Sequence, residues 1–389
     1  MISAPKRPLA FARPWLDEAE AQAAARAILS GWVTQGPEVV AFEREFAAAV
    51  GAEHACAASS CTTALHLALR VLGVGCEDEV VTVSHSFIAT ANSIRYCGAT
   101  PVFVDIEPRT FNMNPALIEP ALSRRTRAIL CVHQMGLPCD LRAILDIARR
   151  HHLPVIEDAA CAIGSEILWD GQWARIGRPH GDIACFSFHP RKLVTTGDGG
   201  MLTTANADWD RQFRLLRQHG MSIPDHARHE ASQVVFEAYP VLGYNYRMTD
   251  IQAAVGRQQL KRLPEMVARR RLLAERYGEL LAAVPGLGLP REPDWARSNW
   301  QSYCVRLPQG CDQRHVMQFM LDRGVPTRRG VMCIHREPAY AQANPHLPLP
   351  ESELAQDRSI LLPMHHELSD QDQQYVAHTL ADASQGCPS

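Results

Sequence analysis

The chain has 389 residues, which is long for a single compact core and suits two domains. Its composition is 46% hydrophobic and 21% charged, as in ordinary soluble globular proteins. The formal net charge of −3 gives no reason to expect nucleic-acid or membrane binding. Residues 1–13 lack the apolar stretch of a signal peptide, and no run approaches the roughly 18 apolar residues of a membrane span. We therefore expect a cytoplasmic protein.

The twelve cysteines are scattered, and no C-x-x-C pair occurs among them. This spacing argues against a zinc site, so no metal is expected. A cytoplasmic chain of this length does not need disulfides. We expect most of these cysteines to be small buried apolar residues.

Two helices are predicted near the start of the chain. Asp17 followed three residues later by Glu20 indicates a capped helix start, and Gly31 ends an alanine-rich helix within residues 14–31. A second, shorter helix is predicted over residues 37–51.

Short apolar runs then alternate with helical segments. The predicted strands are residues 79–83, 101–104, 128–132 and 153–156. The predicted helices between them are residues 62–72, 88–97, 115–122 and 140–151. This alternation favours a mostly parallel sheet covered by helices on both faces. Residues 183–187 and 200–204 are expected to extend the sheet.

The pattern changes near residue 249. A long helical stretch over residues 250–281 is predicted to break at Pro264. The later elements are one strand and two helices, at residues 300–306, 312–323 and 369–383. We expect a large domain over residues 1–260 and a smaller α+β domain over residues 261–389.

The strongest chemical pattern lies in residues 182–200. A predicted strand ends at Ser187, Lys192 follows five residues later, and a turn with three glycines comes next. A lysine beside a glycine turn is usually a surface residue, but the apolar flanks here indicate a cleft. A partly desolvated lysine has a lowered pKa and is a nucleophile toward aldehydes.

A second pattern places an acidic pair at the end of an apolar strand, Glu157 and Asp158. Ligands in open α/β sheets bind at the carboxyl ends of strands, although an acidic residue there can instead cap the next helix. Paired with Lys192, Asp158 fits the carboxylate that keeps the pyridine nitrogen of pyridoxal 5′-phosphate (PLP) protonated.

A third pattern is a short strand of small residues that turns into an amphipathic helix, within residues 55–67. The turn contains Ser59, Ser60, Cys61 and Thr62. The backbone N–H groups and dipole at such a helix start can hold a phosphate, with the hydroxyls assisting. Ser/Thr capping is common at any helix start, so this pattern alone is weak.

Together these segments resemble the DegT/DnrJ/EryC1/StrS aminotransferases, which are sugar aminotransferases of PLP fold type I. The resemblance covers about residues 31–380. Further matching stretches are SGWVTQGPEV (30–39), ATANSI (89–94), GATPVFVDIEP (98–108), NYRMTDIQAAVGRQQL (245–260) and LLPMHHELSDQD (361–372). It implies an α/β fold with a mostly parallel seven-stranded sheet and a smaller α+β C-terminal domain.

The resemblance also implies roles for single residues. Lys192 corresponds to the Schiff-base lysine, and Asp158 to the partner of the pyridine nitrogen. Phe87 corresponds to the aromatic residue that stacks on the cofactor ring, with a core phenylalanine as the alternative. The implied phosphate contacts are Ser60, the Cys61 backbone, Thr62 and Ser187. Asn245 corresponds to an asparagine that reaches the phosphate of the neighbouring subunit, which implies a homodimer with shared active sites.

Three positions depart from the family pattern. Cys61 stands where glycine is usual, so its backbone contact requires that cysteine adopt the necessary dihedral angles. Cys161 replaces the usual glutamine or histidine near the ring hydroxyl, and a thiol is a weak donor. Asp198 replaces glutamate and keeps the charge. A branch of the family that dehydrates sugars has histidine in place of Lys192, so the lysine favours transamination.

The resemblance therefore implies an enzyme that moves an amino group from an amino acid, L-glutamate or glutamine, to a keto-sugar, here expected to be nucleotide-linked. No residue pattern identifies the acceptor. A keto-cyclitol or another carbonyl metabolite remains an alternative acceptor. A PLP-dependent sugar dehydratase and a PLP-binding regulatory protein remain alternative functions.

Overall fold

A computed structural model of the protein describes residues 8–223, 233–341 and 347–385. Its first nine strands are β1 (His54–Ala58), β2 (Glu79–Val83), β3 (Thr100–Val104), β4 (Thr126–Val132), β5 (Val155–Asp158), β6 (Glu166–Trp169), β7 (Gln172–Arg175), β8 (Ile183–Ser187) and β9 (Gly200–Thr204). Seven of them form one sheet in the order β1-β9-β8-β5-β4-β2-β3. Neighbouring strands from β3 to β8 run parallel, whereas β9 is antiparallel to β8 and β1. The predicted mostly parallel seven-stranded sheet is confirmed.

The parallel strands are buried along most of their length because helices and loops cover the sheet. Every residue of β2 and β5 is buried, which explains why these segments read as continuous apolar runs without alternation. The helices of this part are Glu18–Leu29, Pro37–Val50, Cys61–Val71, Ala89–Tyr96, Ile118–Ala121, Leu141–Arg150 and Ala207–Leu216. The predicted capping box of Asp17 and Glu20 is present at the first of them.

The predicted helix break at Pro264 is wrong, because one helix runs over Asp250–Leu281 with Pro264 inside it. Thr249 caps its start together with Gln252. The helix packs on the first two helices and on the last one, and this packing outweighs the missing N–H of one proline. Since the helix passes through residue 260, the predicted domain division falls within it and stays a prediction.

The C-terminal part has its own sheet and core. Strands Tyr303–Arg306, Arg328–Arg329 and Ser359–Leu362 form a three-stranded antiparallel sheet with the last strand in the centre. Its helices are Gln313–Asp322, Pro350–Arg358 and Asp370–Gln385. A separate buried cluster, which includes Tyr277 and Tyr303, joins this sheet to the long helix.

Most cysteines are buried, as expected. Among the free cysteines that the structure describes, only Cys76 and Cys161 are not buried. Cys311 contradicts the expectation of no disulfides, because it is disulfide-bonded. Within residues 8–223, 233–341 and 347–385, no helix is both long and apolar enough to cross a membrane, and no three His, Cys, Asp or Glu side chains form a metal-binding group.

Candidate active site

Lys192 lies in a folded loop directly after β8. The backbone N–H of Lys192 donates to the His189 carbonyl at 2.8 Å, and Thr196 N–H donates to the Phe188 carbonyl, so the loop closes on itself. Lys192 is partly buried, and its Nζ donates to Cys161 Sγ at 2.9 Å. The loop therefore aims the amine back toward the end of β5.

Asp158 is the last residue of β5 and is 5% exposed. Its Oδ2 accepts a hydrogen bond from Thr90 Oγ1 at 2.8 Å, and its Oδ1 accepts one from Ala160 N–H at 3.2 Å. The chain enters turns after Asp158 and then strand β6, so Asp158 does not cap a helix. Burial raises the pKa of Asp158, and the hydrogen bond from Thr90 counteracts this rise.

The pKa of Lys192 is raised, which contradicts the lowered value expected from desolvation. Burial does disfavour the ammonium form, but the nearby Cys161 and Asp158 favour it more strongly. The sequence pattern correctly indicated a partly buried lysine, whereas the groups that favour its ammonium form became visible only in the fold. The structure thus brings Lys192, Asp158 and Cys161 together.

The predicted phosphate turn lies close to the same residues, because its Cys61 is near both Asp158 and Lys192. Ser60 caps helix Cys61–Val71, with its Oγ accepting from Thr63 N–H at 3.2 Å, and Thr62 in the first turn is partly buried. A Cβ on Gly200 would lie 2.4 Å from the Ser60 carbonyl group, so only glycine lets β9 pass this close. Ser187 is the register partner of Gly200, which places Ser187 beside the turn.

Cys61 fits its unusual position. It is the first residue of its helix and does not have a positive φ, so no glycine-like backbone is required there. Its side chain is buried near Asp158 and Lys192, and burial raises the pKa of the thiol well above its ordinary value. The side chain therefore stays a neutral thiol beneath the site.

Phe87 is 68% exposed, so the alternative of a core phenylalanine is wrong. It follows β2 within a segment that also carries Ser86, whose Oγ hydrogen-bonds Thr90 Oγ1 at 2.8 Å. Phe87 is therefore an exposed aromatic residue three positions before Thr90, which bonds the Asp158 carboxylate.

The sequence interpretation missed the residues that support the site from behind. The side chains of His133 and Glu157 are fully buried, and His133 Nε2 lies 2.9 Å from Glu157 Oε2. The backbone N–H of His133 donates to the Asp158 carbonyl. His133 Nδ1 accepts from Cys139 N–H, so the ring proton lies on Nε2 and is donated to Glu157. Glu157 was visible in the sequence beside Asp158, but nothing there indicated its partner.

Asn299 was also not predicted from the sequence. Its side-chain amide donates to the Cys161 and Ile163 carbonyls, both at 2.8 Å, and it is fully buried. These bonds hold the turn that presents Cys161 to Lys192. The sequence gives no signal for Asn299, because it lies more than a hundred residues away in a loop.

Asn245 is exposed and forms an isolated backbone bridge with Gln218. The next residue, Tyr246, accepts a hydrogen bond from Ser59 N–H through its carbonyl at 2.8 Å. Asn245 thus lies near the phosphate turn of its own chain. Its predicted contact across a subunit boundary stays a prediction.

Comparisons with known proteins give a consistent picture. The sequence profile described as the DegT/DnrJ/EryC1/StrS aminotransferase family matches residues 14–381. The Bacillus subtilis (strain 168) spore coat polysaccharide biosynthesis protein SpsC is 36% identical over 384 residues, which is 97% of each chain. The PLP form of the putative sugar aminotransferase Spr1654 from Streptococcus pneumoniae superposes with a TM-score of 0.90, at 26% identity, over 98% of this chain and all of that one. DesI, solved in the presence of its TDP-sugar product, gives a TM-score of 0.87 at 32% identity, over 98% of this chain and 95% of that one.

Proposed function

The chain belongs to the DegT/DnrJ/EryC1/StrS aminotransferase family, and on this basis we propose that it is a PLP-dependent aminotransferase. Its substrates are L-glutamate as amino donor and a nucleotide-linked keto-sugar as acceptor. The observation that carries the proposal is a lysine amine close to a buried carboxylate, next to a helix start. The amine is that of Lys192, the carboxylate is that of Asp158, and the helix begins after Ser60.

The residues present fit PLP. In this proposal Lys192 holds it covalently, Asp158 contacts the pyridine nitrogen and Phe87 covers the ring. The phosphate contacts are the Ser60 hydroxyl, the backbone N–H groups of Cys61 and Thr62, and Ser187. N–H groups at a helix start have no acceptor within the helix, so they are available to an anion. Each Asp158 oxygen accepts one hydrogen bond from the protein, which leaves room for a further donor.

When bound, PLP supplies an electron sink for the bond that breaks at the substrate α-carbon. The protein supplies proton transfer and orientation. Lys192 Nζ is the base that takes the α-proton and the acid that returns it. Asp158 keeps a negative charge at the pyridine nitrogen, and Thr90 fixes the orientation of its carboxylate. Cys161 accepts a hydrogen bond from the Lys192 amine and so orients its lone pair.

The proposed acceptor is inferred from similarity to related proteins. A relative at 36% identity is described as a polysaccharide biosynthesis protein, and a structural neighbour was solved with a TDP-sugar product. Both favour a sugar acceptor, and the second favours a nucleotide-linked one. The family resemblance also supports a homodimer in which Asn245 completes the site of the neighbouring subunit.

The test has two stages. Purified enzyme mixed with L-glutamate should lose the absorbance of its lysine-bound cofactor and release 2-oxoglutarate. The resulting enzyme is then offered keto-sugar nucleotides and keto-cyclitols, and return of the absorbance identifies an acceptor. Lys192→Ala is the control, and it should show neither change. No absorbance change with glutamate or glutamine would contradict the proposed aminotransferase.

A further inference from the structure

The Lys192 amine lies directly against a thiol. Lys192 Nζ and Cys161 Sγ are 2.9 Å apart, and Asn299 fixes the turn that carries Cys161. Cys161 is partly exposed, whereas every other free cysteine that the structure describes, Cys76 apart, is buried. A small oxidant in solvent can therefore reach Cys161, whose sulfur would react with peroxides as the thiolate.

We propose that Cys161 and Lys192 form a modification site for hydroperoxides, at which oxidation joins Sγ to Nζ in a covalent sulfenamide. The bond removes the amine on which the cofactor and the proton transfers depend. This inference rests on the proposed function for the consequence, but the chemistry requires only the two side chains.

The reaction balances in two steps. The Cys161 thiolate attacks one oxygen of hydrogen peroxide, the O–O bond breaks, and a proton completes a sulfenic acid and one water. Sulfur loses two electrons in this step and the peroxide gains them. Lys192 Nζ then gives up a proton and attacks the sulfur, and the S–O bond breaks to release a second water. Thiolate, ammonium and hydrogen peroxide thus yield a sulfenamide and two waters.

The composition makes this pairing selective. The chain contains three lysines, Lys6, Lys192 and Lys261. The Lys261 amine is exposed and bonds Gln258. Cys76 is exposed without a described lysine contact, so it offers a matched thiol that lacks the amine. Of the lysines that the structure describes, Lys192 alone contacts a cysteine.

The cofactor should control the reaction. While Lys192 holds PLP covalently, its nitrogen is not free to attack sulfur. An amino donor releases the amine during turnover, so the enzyme treated with glutamate should be the sensitive form. Hydroxylamine takes the cofactor from any lysine by forming an oxime, so it frees the same amine whatever the natural substrate.

The experiment exposes three samples of holoenzyme to hydrogen peroxide: untreated, treated with L-glutamate, and treated with hydroxylamine. Trypsin digestion and mass spectrometry should then find peptide 151–175 joined to peptide 192–211, with two hydrogen atoms fewer than their sum. The link should form about tenfold faster in both treated samples than in the untreated one, and dithiothreitol should reverse it.

Two variants sharpen the result. Cys161→Ser should give no linked peptide, and Cys76→Ser should give the same yield and rate as the wild type. A linked peptide with hydroxylamine, but none and no absorbance change with glutamate, supports the modification site and counts against the proposed donor. Oxidation of Cys161 to sulfinic acid without a linked peptide in either treated sample overturns the inference.

Discussion

Asp158→Asn separates the electrostatic role of this residue from its shape. Asparagine is nearly isosteric, but its amide nitrogen does not accept a hydrogen bond, so either the Thr90 or the Ala160 donor loses its partner. A buried unsatisfied donor costs about 1–3 kcal/mol of folding free energy. In the proposed function the larger effect falls on the pyridine nitrogen of PLP, which would lose a buried negative charge.

The size of that effect follows from Coulomb's law. Opposite unit charges about 2.8 Å apart, at an effective dielectric constant of about 20, attract by about 6 kcal/mol. If half of this attraction is specific to the transition state, turnover falls by about two orders of magnitude. The other half, about 3 kcal/mol, is lost from the resting holoenzyme and sets an upper limit of about two orders of magnitude on the loss of PLP affinity.

The assay measures kcat with a cognate acceptor and the PLP dissociation constant by equilibrium dialysis. Asp182→Asn is the matched control, since Asp182 precedes β8 at the opposite end of the sheet and accepts a hydrogen bond from Val155 N–H. It should reduce stability and leave kcat within about twofold of the wild type. An Asp158→Asn enzyme with a kcat above about a tenth of the wild-type value would refute the electrostatic argument.

Three other predictions address the lysine, the phosphate turn and the assembly. Lys192→Ala should fold, yet borohydride should fix no cofactor to it; label on Lys6 or Lys261 would show that the site is wrong. Gly200→Ala should lose about 1–3 kcal/mol of stability and bind PLP more weakly, because its Cβ would lie 2.4 Å from the Ser60 carbonyl group, whereas Gly75→Ala, with open space around it, should be neutral by thermal denaturation. Equal amounts of Lys192→Ala and Asn245→Ala chains, refolded together, should regain about a quarter of wild-type activity if each site uses both subunits. Activity that stays at the average of the two mutants, with mixed dimers present, would place Asn245 in its own chain.

The sequence predicted those parts of the fold that local patterns encode. The parallel strands and their helices are short apolar runs separated by capped amphipathic segments, and they appear within about two residues of the predicted bounds. The hairpin of β6 and β7 was missed because Glu166–Trp169 and Gln172–Arg175 are short and only partly buried. The strand Ser359–Leu362 was missed because a serine and three apolar residues directly after a helix give no turn signal.

Pro264 shows where a local rule fails. Proline ends most helices because it lacks an N–H and crowds the preceding turn. In the helix Asp250–Leu281, buried side chains on both sides of Pro264, such as Leu263 and Met266, lie in the core and keep the helix together. Such long-range packing is absent from a window of sequence, so only the folded chain reveals it.

In the candidate active site, too, local patterns were visible in the sequence and long-range contacts were not. The sequence pointed to Lys192, Asp158 and the Ser60 turn because each lies at or just after the end of a strand and carries its own local pattern. Thr90, His133 and Asn299 were not, because each acts through a partner distant in sequence. These distant residues decide the orientation of the groups that were recognised, since Thr90 holds the Asp158 carboxylate and Asn299 holds the turn of Cys161.

The two cysteine substitutions in the pocket have one physical consequence in common. Cys61 is buried near Lys192 and Asp158, and Cys161 contacts the amine itself. Thiols are weak hydrogen-bond donors, so neither provides strong orientation to a carboxylate or a ring hydroxyl. Thr90 and the Ala160 N–H instead orient the Asp158 carboxylate, since they are the two described groups that donate to its oxygens. The site therefore combines an Asp158 carboxylate held by two hydrogen bonds with two thiols near the Lys192 amine. By the proposed modification, we expect its sensitivity to peroxide to depend on whether this amine is free.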